Sequence, residues 1–132
     1  MSKFSKRSRS VKKYNSRKTK GKISEDIACQ YLESKGYKII KRNFRTRYGE
    51  IDIIVLSPSN VLCFVEVKSA EKNLSLPEES INQRKISKIL KNAEIFISQN
   101  KEFSQLEMRF DVITIKDGKI SHIENAFSES DL

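Results

Sequence analysis

The chain has 132 residues, 37% of them hydrophobic, with 26 Lys/Arg against 17 Asp/Glu and a formal net charge of +9. That length fits one domain with a real core and excludes two, and the lack of any apolar run of about 18 residues or of a secretory h-region excludes a membrane span and an export signal, so a soluble cytoplasmic protein is expected. Two cysteines without paired spacing, Cys29 and Cys63, and the single His122 offer neither a zinc site nor a disulfide framework; the thiols read as buried and free, as suits a reducing compartment.

Residues 1–20 hold nine Lys/Arg and no acid, Lys12, Lys13, Arg17 and Lys18 among them, which leaves 17 basic against 17 acidic residues from Gly21 onward. The whole excess therefore sits in a basic arm at 1–20, ahead of a nearly neutral domain at 21–132. With so few apolar groups the arm is expected to be disordered on its own. It suits attraction to phosphates by counterion release. A solubilising tail and an organellar presequence are the other readings.

Ser24 is a candidate cap for a first helix, whose apolar stripe is Ile27, Ala28, Tyr31 and Leu32 and whose stop is Gly36. Glu25 and Asp26 then fall in the first turn, where the helix dipole favours acids. Glu25 also lies one residue from the stripe, so it can point into a site. Tyr37–Arg47 reads as a strand with Lys38, Lys41, Arg42, Arg45 and Arg47 largely outward. Those cations are either a solvated edge that resists pairing or one wall of a nucleic-acid groove, with Arg42, Arg45 and Arg47 as the contacts.

Ile51–Leu56 and Val61–Val67 form a hairpin around Ser57-Pro58-Ser59-Asn60, apolar on both faces as for strands covered on two sides. A second helix is expected from Pro77–Ser80 to about Gln99, with Ile81, Ile86, Ile89, Leu90, Ala93, Phe96 and Ile97 inward and Arg84, Lys88 and Lys91 on another face. Met108–Ile115 and Lys119–Ile123 are strands joined by the Asp117-Gly118 turn, and Phe127 can tuck back. The order α-β-β-β-α-β-β predicts an α/β fold, a mixed sheet flanked by helices.

The central hairpin carries Glu50 and Asp52 on one strand and Glu66 and Lys68 on the other, among residues that should be buried. Burying unpaired charge is costly, so these groups need partners. Antiparallel pairing can bring Asp52 to Glu66, and two such hard oxygen donors suit Mg²⁺ or Mn²⁺, with the Val67 carbonyl as a further ligand. Lys68 beside them can orient or activate water or stabilise developing charge. This constellation fits phosphodiester hydrolysis. The bland reading is a strand-end ion pair of Glu66 and Lys68 with Asp52 capping a turn.

At GKISEDIACQYLESKGY, RNFRTRYGEIDII, FVEVK, RFDVITI and HIENAF the sequence resembles the YraN family of uncharacterised, endonuclease-like proteins. More distantly it resembles archaeal Holliday-junction resolvases, both within the PD-(D/E)xK restriction-endonuclease-like superfamily. The resemblance implies an αβββαβ core with Asp52, Glu66 and Lys68 in the catalytic positions. It implies Glu25 as a metal ligand beside Asp52 and Glu66, leaves Glu50 in a supporting place without a settled role, and by analogy with resolvases suggests a homodimer. The chain departs from the family pattern at Ala70, where an arginine is common. Two functions are carried forward: a metal-dependent DNA nuclease, on branched or other non-duplex DNA, and a non-catalytic nucleic-acid-binding module on the same fold.

Overall fold

Runs of β-branched and aromatic residues build the centre of the molecule, and their alternation decides which helix covers which face. The computed structural model describes residues 16–70 and 82–132. Lys12, Lys13, Ile81 and the expected helix start at Pro77–Ser80 lie outside the described residues. The elements are α1 (Ser16–Ser34), β1 (Lys38–Thr46), β2 (Gly49–Leu56), β3 (Leu62–Ala70), α2 (Gln83–Gln99), β4 (Met108–Lys116) and β5 (Lys119–Ile123). Short 3₁₀ turns occupy Lys101–Phe103 and Glu129–Asp131.

The strands form one sheet in sequence order, β1-β2-β3-β4-β5. All neighbours are antiparallel except β3 and β4, which run parallel from Leu62–Met108 to Ala70–Lys116. A parallel pair requires a crossover, and α2 lies within it. Phe64, Ile54, Leu62 and Phe110 pack with Ile86, Ile89, Ala93 and Phe96 of α2 on one face. Ile53, Val55, Cys63, Val65 and Ile113 pack with Ala28, Cys29 and Leu32 of α1 on the other. This is the expected α/β architecture, a mixed sheet flanked by helices, consistent with a restriction-endonuclease-like core. Cys29 and Cys63 are buried free thiols, and Phe127 is buried against Phe110, ring centroids 5.4 Å apart.

Two boundaries differ from the sequence reading. α1 starts at Ser16 rather than at Ser24, because the Lys/Arg/Thr run before Gly21 has ordinary helix propensity and a lone glycine costs only about 1 kcal/mol. Glu25 and Asp26 therefore lie inside the helix, away from its dipole-rich first turn, and Arg17 and Lys18 belong to its first turn. α2 starts one residue after Asn82, whose side chain accepts the Lys85 N–H at 3.0 Å. Gly36 ends α1 as expected, at φ +89°, and a Cβ there would stand 3.2 Å from Pro58 Cγ.

Candidate active site

β2 and β3 are paired from Leu56–Leu62 to Ile53–Val65, and there the ladder stops. The next rung is replaced by a side chain: Oδ2 of Asp52 accepts the Val67 N–H at 2.8 Å. β2 nevertheless stays paired with β1 to Gly49, and β3 with β4 to Ala70. The sheet thus forks between its two central strands, on the residues that carry the charges.

At the fork, Glu25 from α1 and Glu50 and Asp52 from β2 bring carboxylate oxygens within 4.8 Å of one another. Glu25, Ala28, Cys29 and Leu32 recur at helical spacing, so the packing of α1 on the sheet aims Glu25 here. Burial, and Glu50 beside it, raise the Glu25 carboxyl above its ordinary range against a lowering hydrogen bond from Asn43. Burial and the neighbouring charge of Glu66 push Asp52 up to about 8, against the lowering bond from the Val67 N–H. Like-charged acids held this closely suit a divalent cation, which would stabilise the ionised forms.

Glu66 is only 6% exposed. Its Oε2 lies 2.8 Å from Nζ of Lys85 and 3.7 Å from Nζ of Lys68. Burial and the neighbouring Lys85 ammonium lower the Lys68 pKa. Burial works against the Lys85 charge too, but its hydrogen bonds to Glu66 and Lys68 leave its pKa raised. Asp52, Glu66 and Lys68 are thus brought together as the sequence predicts, with Glu25 joining them. Glu66 meets Asp52 but stands outside the Glu25–Glu50–Asp52 trio, whose third member is Glu50.

The family model for the uncharacterised protein family UPF0102 matches residues 24–115. A UPF0102 protein of Sulfurihydrogenibium sp. (strain YO3AOP1) is 50% identical over 110 residues, covering 83% of this chain and 94% of the relative. The chain belongs to the family UPF0102. Other UPF0102 proteins, from Persephonella marina and Caldanaerobacter subterraneus subsp. tengcongensis, are 43% identical over 109 residues and 42% identical over 125, covering 82% and 89% of this chain and 92% and 100% of theirs. This is the YraN resemblance carried by the motifs, and the PD-(D/E)xK superfamily is consistent with it.

In this UPF0102 protein the arginines of β1 and of the turn after it have partners within the fold. Arg42 is not outward: its Nη2 donates to Oδ1 of Asp26 at 2.7 Å and lies 3.8 Å from Glu25. The irregular register between Ile39 and Lys41 shifts the alternation, which is why simple period-2 counting fails at Arg42. Arg45 Nε donates to Glu50 Oε1 at 2.6 Å, and the Arg47 guanidinium lies over the Tyr48 ring at 5.0 Å. Lys85 is the site residue the sequence reading missed, because it belongs neither to the apolar stripe nor to the Arg84–Lys88–Lys91 face. The signal was present: Lys85, Ile89, Asn92 and Phe96 stand at i, i+4, i+7 and i+11, one stripe of α2.

On the α1-facing side of the sheet a second polar group surrounds Asp111, which is fully buried. It accepts from Arg109 Nε and Nη2 at 2.9 Å and from the Asn125 N–H at 3.0 Å, and it lies 2.8 Å from His122 Nε2. Tyr31 Oη lies 3.2 Å from the other ring nitrogen of His122. Burial would raise the Asp111 carboxyl, but the bonds with His122, Arg109 and Asn125 hold it below its ordinary range. His122 is therefore placed as a partner of Asp111, tying β4 and β5 to α1.

Proposed function

We propose that this UPF0102 protein is a Mg²⁺- or Mn²⁺-dependent nuclease that hydrolyses DNA phosphodiester bonds, with branched or other non-duplex DNA as the favoured substrate class. The observation that carries this reading is the convergence of Glu25, Glu50 and Asp52 at the forked β2–β3 hairpin, with Glu66 beside Asp52 and Lys68 beside Glu66. A helical acid, two acids on one strand and an acid and lysine on the next supply hard oxygen donors with an amine alongside.

Asp52, Glu25 and Glu50 would hold the ion, with Glu66 at its side. A bound divalent ion supplies Lewis acidity toward a phosphoryl oxygen and a more acidic water. A bound ion would favour the ionised form of Asp52, whose bond to the Val67 N–H holds the carboxylate in place. Lys68, with its pKa lowered by burial, is the amine fitted to take a proton from water or to stabilise charge on the phosphate. Arg42 and Arg45 hold Glu25 and Glu50 from the outside. The basic arm, with Lys12, Lys13, Arg17 and Lys18, supplies attraction to the DNA backbone, and Arg47, in the turn after β1, is the cation best placed to add to it. A homodimer would match two symmetric cuts in a four-way junction.

The test is a panel of linear, nicked, flapped and four-way DNA incubated with Mg²⁺ or Mn²⁺ and with chelator. Metal-dependent cutting that Asp52→Asn and Lys68→Ala abolish supports the nuclease. DNA binding without cutting on any substrate would favour the non-catalytic module instead.

A further inference from the structure

We propose that Lys85 is an exchangeable counter-ion for Glu66: it holds that carboxylate while no divalent ion is bound, then yields it to the ion and turns its ammonium to the phosphodiester substrate. The proposal rests on the metal-centre reading above.

Glu66 is almost wholly buried, so its charge must be met from within the fold. Both lysines meet it on one oxygen, Oε2, and Lys85 is the closer by far, 2.8 Å against 3.7 Å. An ammonium and a divalent ion competing for one carboxylate repel each other, so a bound ion and this Lys85 contact disfavour each other. Of the two lysines, Lys85 is the one free to leave. Lys68 is on β3, two residues from Glu66, in a strand paired on both sides of that position with β4. Lys85 stands in the first turn of α2, its side chain a third exposed. Its backbone N–H is fixed by the Asn82 cap, so the side chain can swing without moving the helix. The long, flexible stem and compact charge of lysine suit a phosphate oxygen once Glu66 is released.

Calorimetric titration of the full chain with Mn²⁺ tests this, using the parent, Lys85→Met, Glu66→Gln, and the double variant. Methionine keeps the aliphatic stem, and a thermal melt of each variant verifies folding. Lys85→Met is expected to bind Mn²⁺ roughly five-fold more tightly, the scale of a partly exposed ion pair. That gain should vanish in the Glu66→Gln background, and Lys85→Arg should restore parent-like affinity. With Ca²⁺ in place of Mn²⁺ to hold the site without cutting, Lys85→Met should bind four-way DNA several-fold more weakly than the parent. Unchanged or weaker Mn²⁺ binding in Lys85→Met overturns the exchange, and so does an equal gain in the Glu66→Gln background, which would be charge repulsion acting through space. A parent protein that binds no Mn²⁺ overturns the metal centre itself, and the exchange falls with it.

Discussion

The carboxylate of Asp52 accepts the Val67 backbone N–H at 2.8 Å, where the next rung of the β2–β3 ladder would otherwise stand. A side chain thus meets the donor that the parting strand abandons, so the sheet can fork without leaving a buried N–H unpaired. The same contact ties Asp52 to the strand bearing Glu66 and Lys68. Fold and candidate chemistry meet in one hydrogen bond.

Without metal, stability should fall between about pH 5 and pH 8. The Asp52 pKa is raised from 3.8 to about 8, so over that range the folded state holds a proton that the unfolded chain has released. The stability present below the unfolded value is therefore lost as pH rises toward the folded one. In metal-free buffer the melting temperature should drop from pH 5 to pH 8, and Asp52→Asn should flatten that drop. Added Mn²⁺ should raise the parent's melting temperature most at pH 8.

Glu50 stands with Glu25 and Asp52, carboxylate oxygens within 4.8 Å, which makes it a proposed metal ligand alongside them. Glu50→Gln is expected to weaken Mn²⁺ binding roughly ten-fold. Arg45→Ala, which frees the Glu50 carboxylate, should not weaken it. Equal Mn²⁺ affinity in Glu50→Gln and the parent would reduce Glu50 to a partner of Arg45.

Asp111 is the anion on which Arg109, His122 and the Asn125 N–H converge. Asp111→Ala should cost about 3–5 kcal/mol in denaturant unfolding, the range for breaking a buried charge network. Its pKa is held low, so its contribution is present above the ordinary carboxylate range and lost as pH falls below it. The acid limb of the stability profile should therefore flatten in the variant.

Phe96 of α2 is nearly fully buried and meets Phe44, Phe64 and Phe103 at ring centroids of 5.3, 6.1 and 6.0 Å. Phe96→Ala should destabilise the protein by about 3–5 kcal/mol through lost burial and a cavity. Chemical denaturation would check this. A loss under about 1 kcal/mol would mean the α2 face collapses onto the gap.

The strands were legible in the sequence because their periodicity is local: apolar runs broken by Ser57-Pro58-Ser59-Asn60 and by Asp117-Gly118 leave little freedom in where a strand begins or turns. The same alternation, with the motifs GEIDII and FVEVK, marked Asp52, Glu66 and Lys68 as charges needing a common explanation. Helix starts were less legible, since a basic run without proline can be helix or arm, and only packing on the sheet decides how α1 and α2 are rotated. That rotation aims Glu25 and Lys85 at the hairpin from two helices on opposite faces. Glu50 joined the carboxylates, and Arg42 turned inward, through an irregular register and a forked ladder that span separate strands. Sequence thus singled out Asp52, Glu66 and Lys68 as charges in need of partners; only the tertiary structure decided their neighbours, because a carboxylate's partners are set by where strands part and helices dock.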